Sequence, residues 1–383
     1  MPIQFEPSLS PTIGIEEEFQ LCDPESGDLV PKADEIMASA SPELRRHLSY
    51  DLLLTLIEAN TKISASVEEG IEDLVDKRRQ VQALAEQSLC TLGMTGTHPY
   101  ADPHQQRFVN TPDYEWVRDQ LGYVAQRNIT FGLHVHIGVD DAERAVYVAN
   151  RMRMWIGPLI ALAANSPYLD GVDTGWDAAR VYTFGAFPRA GIPPRLRSYD
   201  EFATQMDALI AASAITKPRQ IWWNVRVHPQ YGTVEFRACD VQSSVPRTAA
   251  IVALVQALVV AYGDAHRAGE PEPYLPGAYL EDLRWKGMRF GLSADVIDAE
   301  TAKVVSMPAL VERMVGVAWP AATKLGTTKY LDVISKILQF GNGATAQREA
   351  LVAEGGDLRK LQHRLLQEAV EKGIRDPSLG RPG

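Results

Sequence analysis

Residues 13–19 read Ile-Gly-Ile-Glu-Glu-Glu-Phe, a stretch in which apolar and acidic side chains alternate as they do along a strand. Two later stretches alternate in the same way: residues 133–137 read Leu-His-Val-His-Ile, and residues 234–238 read Val-Glu-Phe-Arg-Ala. Successive side chains of a strand point to opposite faces of its sheet. Each stretch therefore predicts one apolar face for a core and one ionisable face; Glu17 is an exception on the apolar face.

The ionisable faces carry the residue types that bind divalent metals. The pairs that share a face are Glu16 with Glu18, His134 with His136, and Glu235 with Arg237. Each pair alone is ambiguous, because an acidic edge strand, two hydrogen-bonded histidines or a local ion pair gives the same pattern. Three such pairs in one phase predict a common concave surface that binds metal and phosphate.

The composition of this surface indicates which metal it binds. Carboxylates with an imidazole suit Mg²⁺ or Mn²⁺, whereas zinc prefers more histidine or cysteine. Magnesium held by a few carboxylates commonly presents the phosphates of ATP, and Arg237 could neutralise a transferred phosphoryl group. The sequence has no GxxxxGK[ST] loop or kinase glycine loop, so metals and arginines would hold the nucleotide.

The bulk composition excludes several classes of protein. The chain has 383 residues, 45% of them hydrophobic, and a net charge of −11, which argues against a general nucleic-acid binder. Its three cysteines lack CxxC spacing, and no signal peptide is visible, which favours a reduced, cytoplasmic protein. The longest apolar stretch, residues 249–262, is interpreted as a buried helix too short to span a bilayer.

The pattern of the whole chain predicts an α+β protein. Residues 221–228 and 233–239 are predicted to form a hairpin in which Arg226 lies opposite Glu235. We expect one domain over residues 1–383, with a sheet-bearing core over 12–240 and a mainly helical part over 245–383.

Two helices can be delimited by their local signals. The first should begin after Ser66, which forms a capping-box pair with Glu69, and should end at Gly93. The second should run from about residue 141 to 164.

The chain carries an ordered set of short motifs: GIEEEF (14–19), GTHP (96–99), GLHVHIG (132–138), ANSPY (164–168), DTG (173–175) leading to Arg180, and GTVEFR (232–237). As an ordered set they resemble the bacterial carboxylate–amine ligases known as type 2 glutamate–cysteine ligases, which belong to the glutamine synthetase superfamily. The resemblance covers most of residues 12–240 and is looser in the helical part.

This resemblance implies a fold and a set of residue roles. The fold is a curved, mainly antiparallel sheet that forms a funnel-shaped active site and is backed by helices. The metal ligands implied are Glu16, Glu18, Glu58, His134 and Glu235, with Asp51 where related ligases carry an acidic residue. Arg237 and Glu58 are assigned to catalysis, Arg237 by contacting the transferred phosphate.

The remaining candidates lie around these ligands. Arg180 and Arg226 are candidates for binding a substrate carboxylate or phosphate, and structural ion pairs are an equally good interpretation. His136 either orients a substrate or lines the funnel, and Asn60 is a candidate for substrate or nucleotide binding.

The implied reaction uses ATP to phosphorylate a carboxylate and lets an amine attack the acyl phosphate, with small amino acids and amines as partners. Glutamate and cysteine are the first candidates, and a homodimer is left open. The alternative within the superfamily is a metal-dependent phosphotransferase that acts on a guanidino-type acceptor. A cupin-like oxygenase fits less well, because the last third of the chain is helical, and a non-catalytic descendant would not need this complete set of ligands.

Overall fold

The structure is a computed structural model that describes residues 3–374. Its strands are β1 (Ile13–Cys22), β2 (Leu48–Ser49), β3 (Leu56–Asn60), β4 (Thr91–Gly93), β5 (Gly132–Gly138), β6 (Tyr168–Leu169), β7 (Val172–Asp173), β8 (Ala190–Gly191), β9 (Trp222–Trp223), β10 (Val225–His228), β11 (Thr233–Asp240), β12 (Asp295–Ile297) and β13 (Val304–Ser306). Its α-helices are α1 (Ala33–Ser39), α2 (Pro42–Arg45), α3 (Val67–Gln87), α4 (Pro112–Leu121), α5 (Tyr123–Gln126), α6 (Ala142–Met152), α7 (Ile156–Ala163), α8 (Ala179–Phe184), α9 (Tyr199–Ala211), α10 (Val245–Arg267), α11 (Gly277–Phe290), α12 (Met307–Leu325), α13 (Thr328–Phe340), α14 (Gly343–Ala353) and α15 (Leu358–Gly373).

The main sheet has the strand order β10-β11-β5-β1-β3-β2, and β4 pairs with the end of β1. All of these pairings are antiparallel. The three stretches with alternating residues therefore lie on adjacent central strands, β1, β5 and β11. The α+β class with a mainly antiparallel sheet is confirmed.

The register brings the ionisable side chains of the adjacent strands together. The opposed pairs are Glu18 with Glu58, Glu16 with both Asn60 and His134, His136 with Glu235, and Glu235 with Arg226. The predicted hairpin register is thus correct. Because opposed residues of neighbouring strands point to the same face, these side chains form one continuous polar surface.

The other face of the sheet packs on helices. The apolar partners on β1 and β5, such as Ile15 and Val135, join a buried cluster with residues of α6, α7 and α10. The sheet and the C-terminal helices thus share one core, and the single domain stays a prediction. The apolar stretch 249–262 lies within α10, which at 23 residues is longer than predicted and passes a membrane-span test by length and composition alone. Its most apolar window is 78% buried inside the fold, in agreement with the predicted buried helix.

Glu17, the exception in the alternation, is fully buried on the core side of β1. Arg78 of α3 binds both of its carboxylate oxygens, at 2.6 and 2.7 Å. The same guanidinium donates to the carbonyl oxygens of Gln242 (2.7 Å) and Gly373 (3.3 Å). This buried ion pair therefore joins β1 to the start of the C-terminal part and to its last helix.

The predicted helix boundaries need two corrections. Ser66 caps α3 as expected, accepting from the Glu69 amide at 3.2 Å, but the helix ends at Gln87 and not at Gly93. Leu89 adopts the left-handed conformation that glycine usually supplies, with φ 58°, and Gly93 lies in β4 instead. The predicted helix over residues 141–164 is divided into α6 and α7 by a short 3₁₀ turn.

Candidate active site

Two cavities of unequal size lie on the polar face of the sheet. The larger is about 640 Å³ and is lined by Glu16, Asn60, His136 and Arg226, among others. The smaller is about 90 Å³ and is lined by residues that include Glu18, His134 and Arg180. Residues that line both cavities are Asp51, Glu58, Tyr114, Val117, Trp222 and Arg237. The cavities therefore meet at two carboxylates and a guanidinium.

Glu16 lies at the centre of two overlapping groups of potential metal ligands. One group consists of Glu16, His136 and Glu235, the other of Glu16, Glu58 and His134, and in each group the ligand atoms lie within 4.8 Å of one another. The two oxygens of Glu16 point in different directions, Oε1 to His136 Nε2 at 3.2 Å and Oε2 to His134 Nδ1 at 3.1 Å. One carboxylate can thus serve two cations.

Two further predicted ligands lie beside these groups. Glu18 Oε1 is 3.6 Å from His134 Nε2, and its other oxygen accepts a hydrogen bond from the Gly132 amide. Asp51 lies at the junction of the two cavities. Among the described residues, neither of the two groups includes Glu18 or Asp51, so their roles as ligands stay predictions.

The carboxylates of the site are crowded enough to disturb their ionisation. Burial, followed by the charges of Glu16, Glu18 and Asp51, raises the pKa of Glu58 well above its usual value. For Glu16, burial acts in the same direction, but His136 and His134 outweigh it and hold the pKa far below the usual range. A bound divalent cation would relieve this repulsion among buried anions.

The donor set fits a hard cation. Oxygen donors predominate, and His136 Nε2 is buried without a hydrogen bond in the part of the chain that the structure describes, although Glu16 and Glu235 lie 3.2 and 3.6 Å away. Its other nitrogen is held by Thr233 Oγ1 at 3.0 Å, which fixes the ring. Such an oriented imidazole among carboxylates suits Mg²⁺ or Mn²⁺.

The arginines differ in how many of their donors bind protein groups. Arg226 contacts both oxygens of Glu235 and donates to the Arg219 and Ile221 carbonyl oxygens at 2.8 and 2.6 Å. This geometry favours the ion-pair interpretation for Arg226, which orients Glu235. Arg237 also donates to Glu235, but its Nε has no partner among the described residues, and its side chain reaches both cavities.

Arg180 and Asn60 show the same contrast. Arg180 is buried at the wall of the small cavity, its Nη1 is 3.5 Å from the Arg237 carbonyl oxygen, and its Nε has no partner within residues 3–374. Asn60 lines the large cavity, but its amide nitrogen donates to Glu58 Oε1 at 3.1 Å and to Ser49 Oγ at 3.2 Å. Arg180 thus keeps a free donor, while Asn60 orients Glu58.

Asp240 is a buried residue beside the site that the alternation could not reveal. A bulge between Phe236 and Cys239 reverses the phase of β11, so that Asp240 pairs with Gly132 on the polar side. Its Oδ2 accepts from Ser166 Oγ at 2.7 Å, and its Oδ1 lies 4.0 Å from Arg180 Nη1. The only sequence signal was an acidic residue three positions after Arg237.

The sheet, its two overlapping Glu/His groups and the joined cavities form the candidate active site of an enzyme with a glutamine synthetase-like fold. The model of the glutamate–cysteine ligase family 2 matches residues 12–372, and the chain belongs to that family. It is thereby a ligase of the glutamate–cysteine ligase family, as the sequence motifs predicted.

Relatives of known sequence and structure agree with this assignment. A protein of Gloeobacter violaceus, provisionally named glutamate–cysteine ligase 2, is 34% identical over 94% of this chain and 98% of its own length. A relative from Rubrobacter xylanophilus, provisionally named glutamate–cysteine ligase 2-3, is 37% identical over 93% of this chain and 96% of its own length. The crystal structure of the Francisella tularensis glutamate–cysteine ligase in complex with AMP superposes with a TM-score of 0.71 at 12% identity, covering 95% of this chain and 90% of that one. This last similarity concerns the fold.

Proposed function

We propose that this protein is an ATP-dependent carboxylate–amine ligase that joins an acid such as glutamate to an amine such as cysteine through an acyl phosphate. The observation that carries the proposal is the meeting of the two cavities at Asp51, Glu58 and Arg237. Phosphoryl transfer requires two anions to approach each other, and this junction concentrates the groups that would control such an approach.

The sizes of the cavities suggest how the substrates are divided. The large cavity, at about 640 Å³, is within the range of small-molecule sites, roughly 300–1,000 Å³, and would take the nucleotide. The small cavity, at about 90 Å³, has room only for a compact group, and the free donor of Arg180 there suits a carboxylate. AMP in the Francisella tularensis ligase supports a nucleotide in the same fold.

The metal ions, Mg²⁺ or Mn²⁺, would be held by the two groups of potential ligands, which together contain Glu16, Glu58, Glu235, His134 and His136. Glu18 and Asp51 lie beside these groups. When bound, the cations would screen the charge between the γ-phosphate and the substrate carboxylate.

Three arginines would have separate roles in phosphoryl transfer and substrate binding. Arg237 would donate to the transferred phosphoryl oxygens as charge develops on them, a role that its unpartnered Nε supports, while Arg226 fixes Glu235. Arg180 would hold the acid so that its carboxylate oxygen faces the γ-phosphate. Because a free carboxylate is a poor electrophile, the carboxylate first takes the γ-phosphoryl group of ATP and ADP is released. The amine then attacks the carbonyl carbon of the acyl phosphate, and phosphate leaves.

The proposed setting is cytoplasmic, with small-molecule partners and without nucleic acid or a membrane. Cys22, Cys90 and Cys239 are free and buried, which suits a reducing compartment. A homodimer remains compatible with this proposal.

An ADP-release screen tests the proposal. Purified protein is supplied with ATP, Mg²⁺ or Mn²⁺, and a matrix of amino acids crossed with amines, and Glu235→Gln serves as the control for contaminating ATPase. A ligase releases ADP only when acid and amine are both present. ADP release with a single guanidino acceptor would instead identify the alternative phosphotransferase, and no metal-dependent release with any pair would refute the ligase.

A further inference from the structure

Two aromatic rings are stacked at the rim of the large cavity. Tyr231 and His228 lie with their ring centroids 4.1 Å apart and their planes 9° from parallel. His228 is 8% exposed, whereas Tyr231 is 60% exposed, although both line the cavity. One face of the Tyr231 ring is therefore covered by His228, and the other face is open to the cavity.

The turn that carries Tyr231 is held in place by the N-terminal segment. The Glu6 amide donates to the Pro229 carbonyl oxygen at 2.9 Å. Gly232 has a φ of +61°, and a Cβ at this position would lie 2.0 Å from the Glu6 carbonyl oxygen. The close packing of this segment fixes the backbone of the turn, and the stacking on His228 orients the phenol ring. A ligand would therefore meet a preformed surface.

The pair also adjoins the candidate metal ligands. The His136 ring packs edge-on against both His228 and Tyr231, with centroid distances of 5.7 and 5.8 Å. His136 itself lies in the ligand group with Glu16 and Glu235. A molecule whose phosphates bound at this group could thus place an attached ring over Tyr231.

His228 provides a second sign of a ligand. Its Nδ1 is buried and has no hydrogen-bond partner within residues 3–374. An imidazole with one unused nitrogen can exchange a hydrogen bond with the edge of a base or with a sugar hydroxyl.

We propose that Tyr231, supported by His228, is the stacking platform for the purine base of the nucleotide. This inference rests on the proposed ATP-dependent function and adds the residues that recognise the base. The platform lines the large cavity only, away from the small cavity where the acid would bind. Stacking on an aromatic face accounts for an exposed ring at a fixed position beside a phosphate site.

Binding measurements on Tyr231→Ala and Tyr231→Phe test the platform. Calorimetry in Mg²⁺ would compare ATP with inorganic tripolyphosphate, which lacks a base and a sugar. Tyr231→Ala should weaken ATP binding by about 10-fold, the scale of one lost base stack, and should leave tripolyphosphate binding unchanged. Tyr231→Phe should bind ATP as the wild type does. Tyr274→Ala, at a tyrosine that is 83% exposed and lines neither cavity, is the matched control.

The other outcomes separate this inference from the function on which it rests. Wild-type protein that binds neither ATP nor tripolyphosphate would overturn both. Normal ATP affinity in Tyr231→Ala, with or without a raised KM for the amine, would overturn the platform alone. Equal loss of ATP and tripolyphosphate binding would also overturn it, because the ring would then act on the phosphate site.

Discussion

Replacement of Arg237 by lysine should separate a catalytic guanidinium from an ion-pair partner. Arg237 donates to Glu235, and its Nη1 lies 3.5 Å from His134 Nδ1. Its Nε is without a partner in the described residues, at a side chain that lines both cavities. Burial is the largest single influence and acts to lower the pKa of Arg237, but the charge and hydrogen bond of Glu235 and the charges of Glu16 and Glu18 together raise it, so the group stays charged.

The magnitude follows from the donor that is lost. Lysine would keep the positive charge and could still pair with Glu235, but it has no second donor in a fixed fork. Loss of one preorganised donor to a developing charge costs about 10²-fold in turnover, or ~2.7 kcal/mol at 1.36 kcal/mol per tenfold. ATP affinity should change much less, because the two candidate metal groups do not include Arg237.

The assay is steady-state ADP release with acid and amine at saturation, combined with calorimetric ATP binding. Arg197→Lys is the control, since Arg197 pairs with Glu201 on the surface and lines neither cavity. Turnover near that of the wild type would show that Arg237 only neutralises the acidic cluster. A large loss of ATP affinity with unchanged turnover would place its role in binding rather than in the transition state.

Three further changes test the ligand cluster and the buried charges. Glu16→Gln should abolish or strongly reduce the rise in melting temperature with Mg²⁺ and ATP, because Glu16 belongs to both ligand groups; an undiminished rise would contradict a shared ligand. Burial raises the pKa of Asp240 from 3.8 to about 6. The folded state therefore binds the proton of Asp240 more tightly than the unfolded chain does, and the free energy of unfolding should fall as the pH rises from about 4 through 6. Asp240→Asn should flatten that part of the stability profile and recover up to ~3 kcal/mol at pH 7 in metal-free denaturant titrations, and an unchanged profile would rule this out. Arg78→Met leaves Glu17 buried without its cation and should lower the free energy of unfolding by about 3–5 kcal/mol in the same titrations. Arg79→Met, at the exposed neighbour, is the control and should lower it far less. Equal losses in the two variants would show that the buried pair is unimportant for stability.

Side-chain alternation predicted the centre of the site because it follows directly from strand geometry. Glu16, His134 and Glu235 lie on adjacent central strands, where a period of two determines which face each residue occupies. Register was predictable only in the hairpin, where a short loop placed Arg226 opposite Glu235. The pairing of β1 with β5 joins residues more than a hundred positions apart, and no local signal specifies it.

The features that could not be predicted depend on local exceptions or on tertiary contacts. The bulge in β11 moves Asp240 to the polar side against the alternation of its neighbours. Glu17 breaks the alternation in the sequence, and its ion-pair partner, Arg78, lies on a separate helix, so the pair could not be predicted from local spacing. The division into two cavities involves Tyr114 of α4, whose position beside the sheet is fixed by packing and by a hydrogen bond to the Tyr50 carbonyl oxygen.

The two faces of the main sheet show how the fold distributes its charges, with Glu17 on β1 and Glu58 on the neighbouring strand β3. On the core side, Glu17 is matched by one arginine at both oxygens, so its charge is compensated within the protein. On the polar side, Glu58 has neighbouring carboxylates and an amide but no arginine of its own in the described chain, and burial and these charges raise its pKa. A sheet that needed only stability could have paired both acids in the same way. The uncompensated side is therefore the one that we expect to bind cations, and binding there should stabilise the native state by mass action.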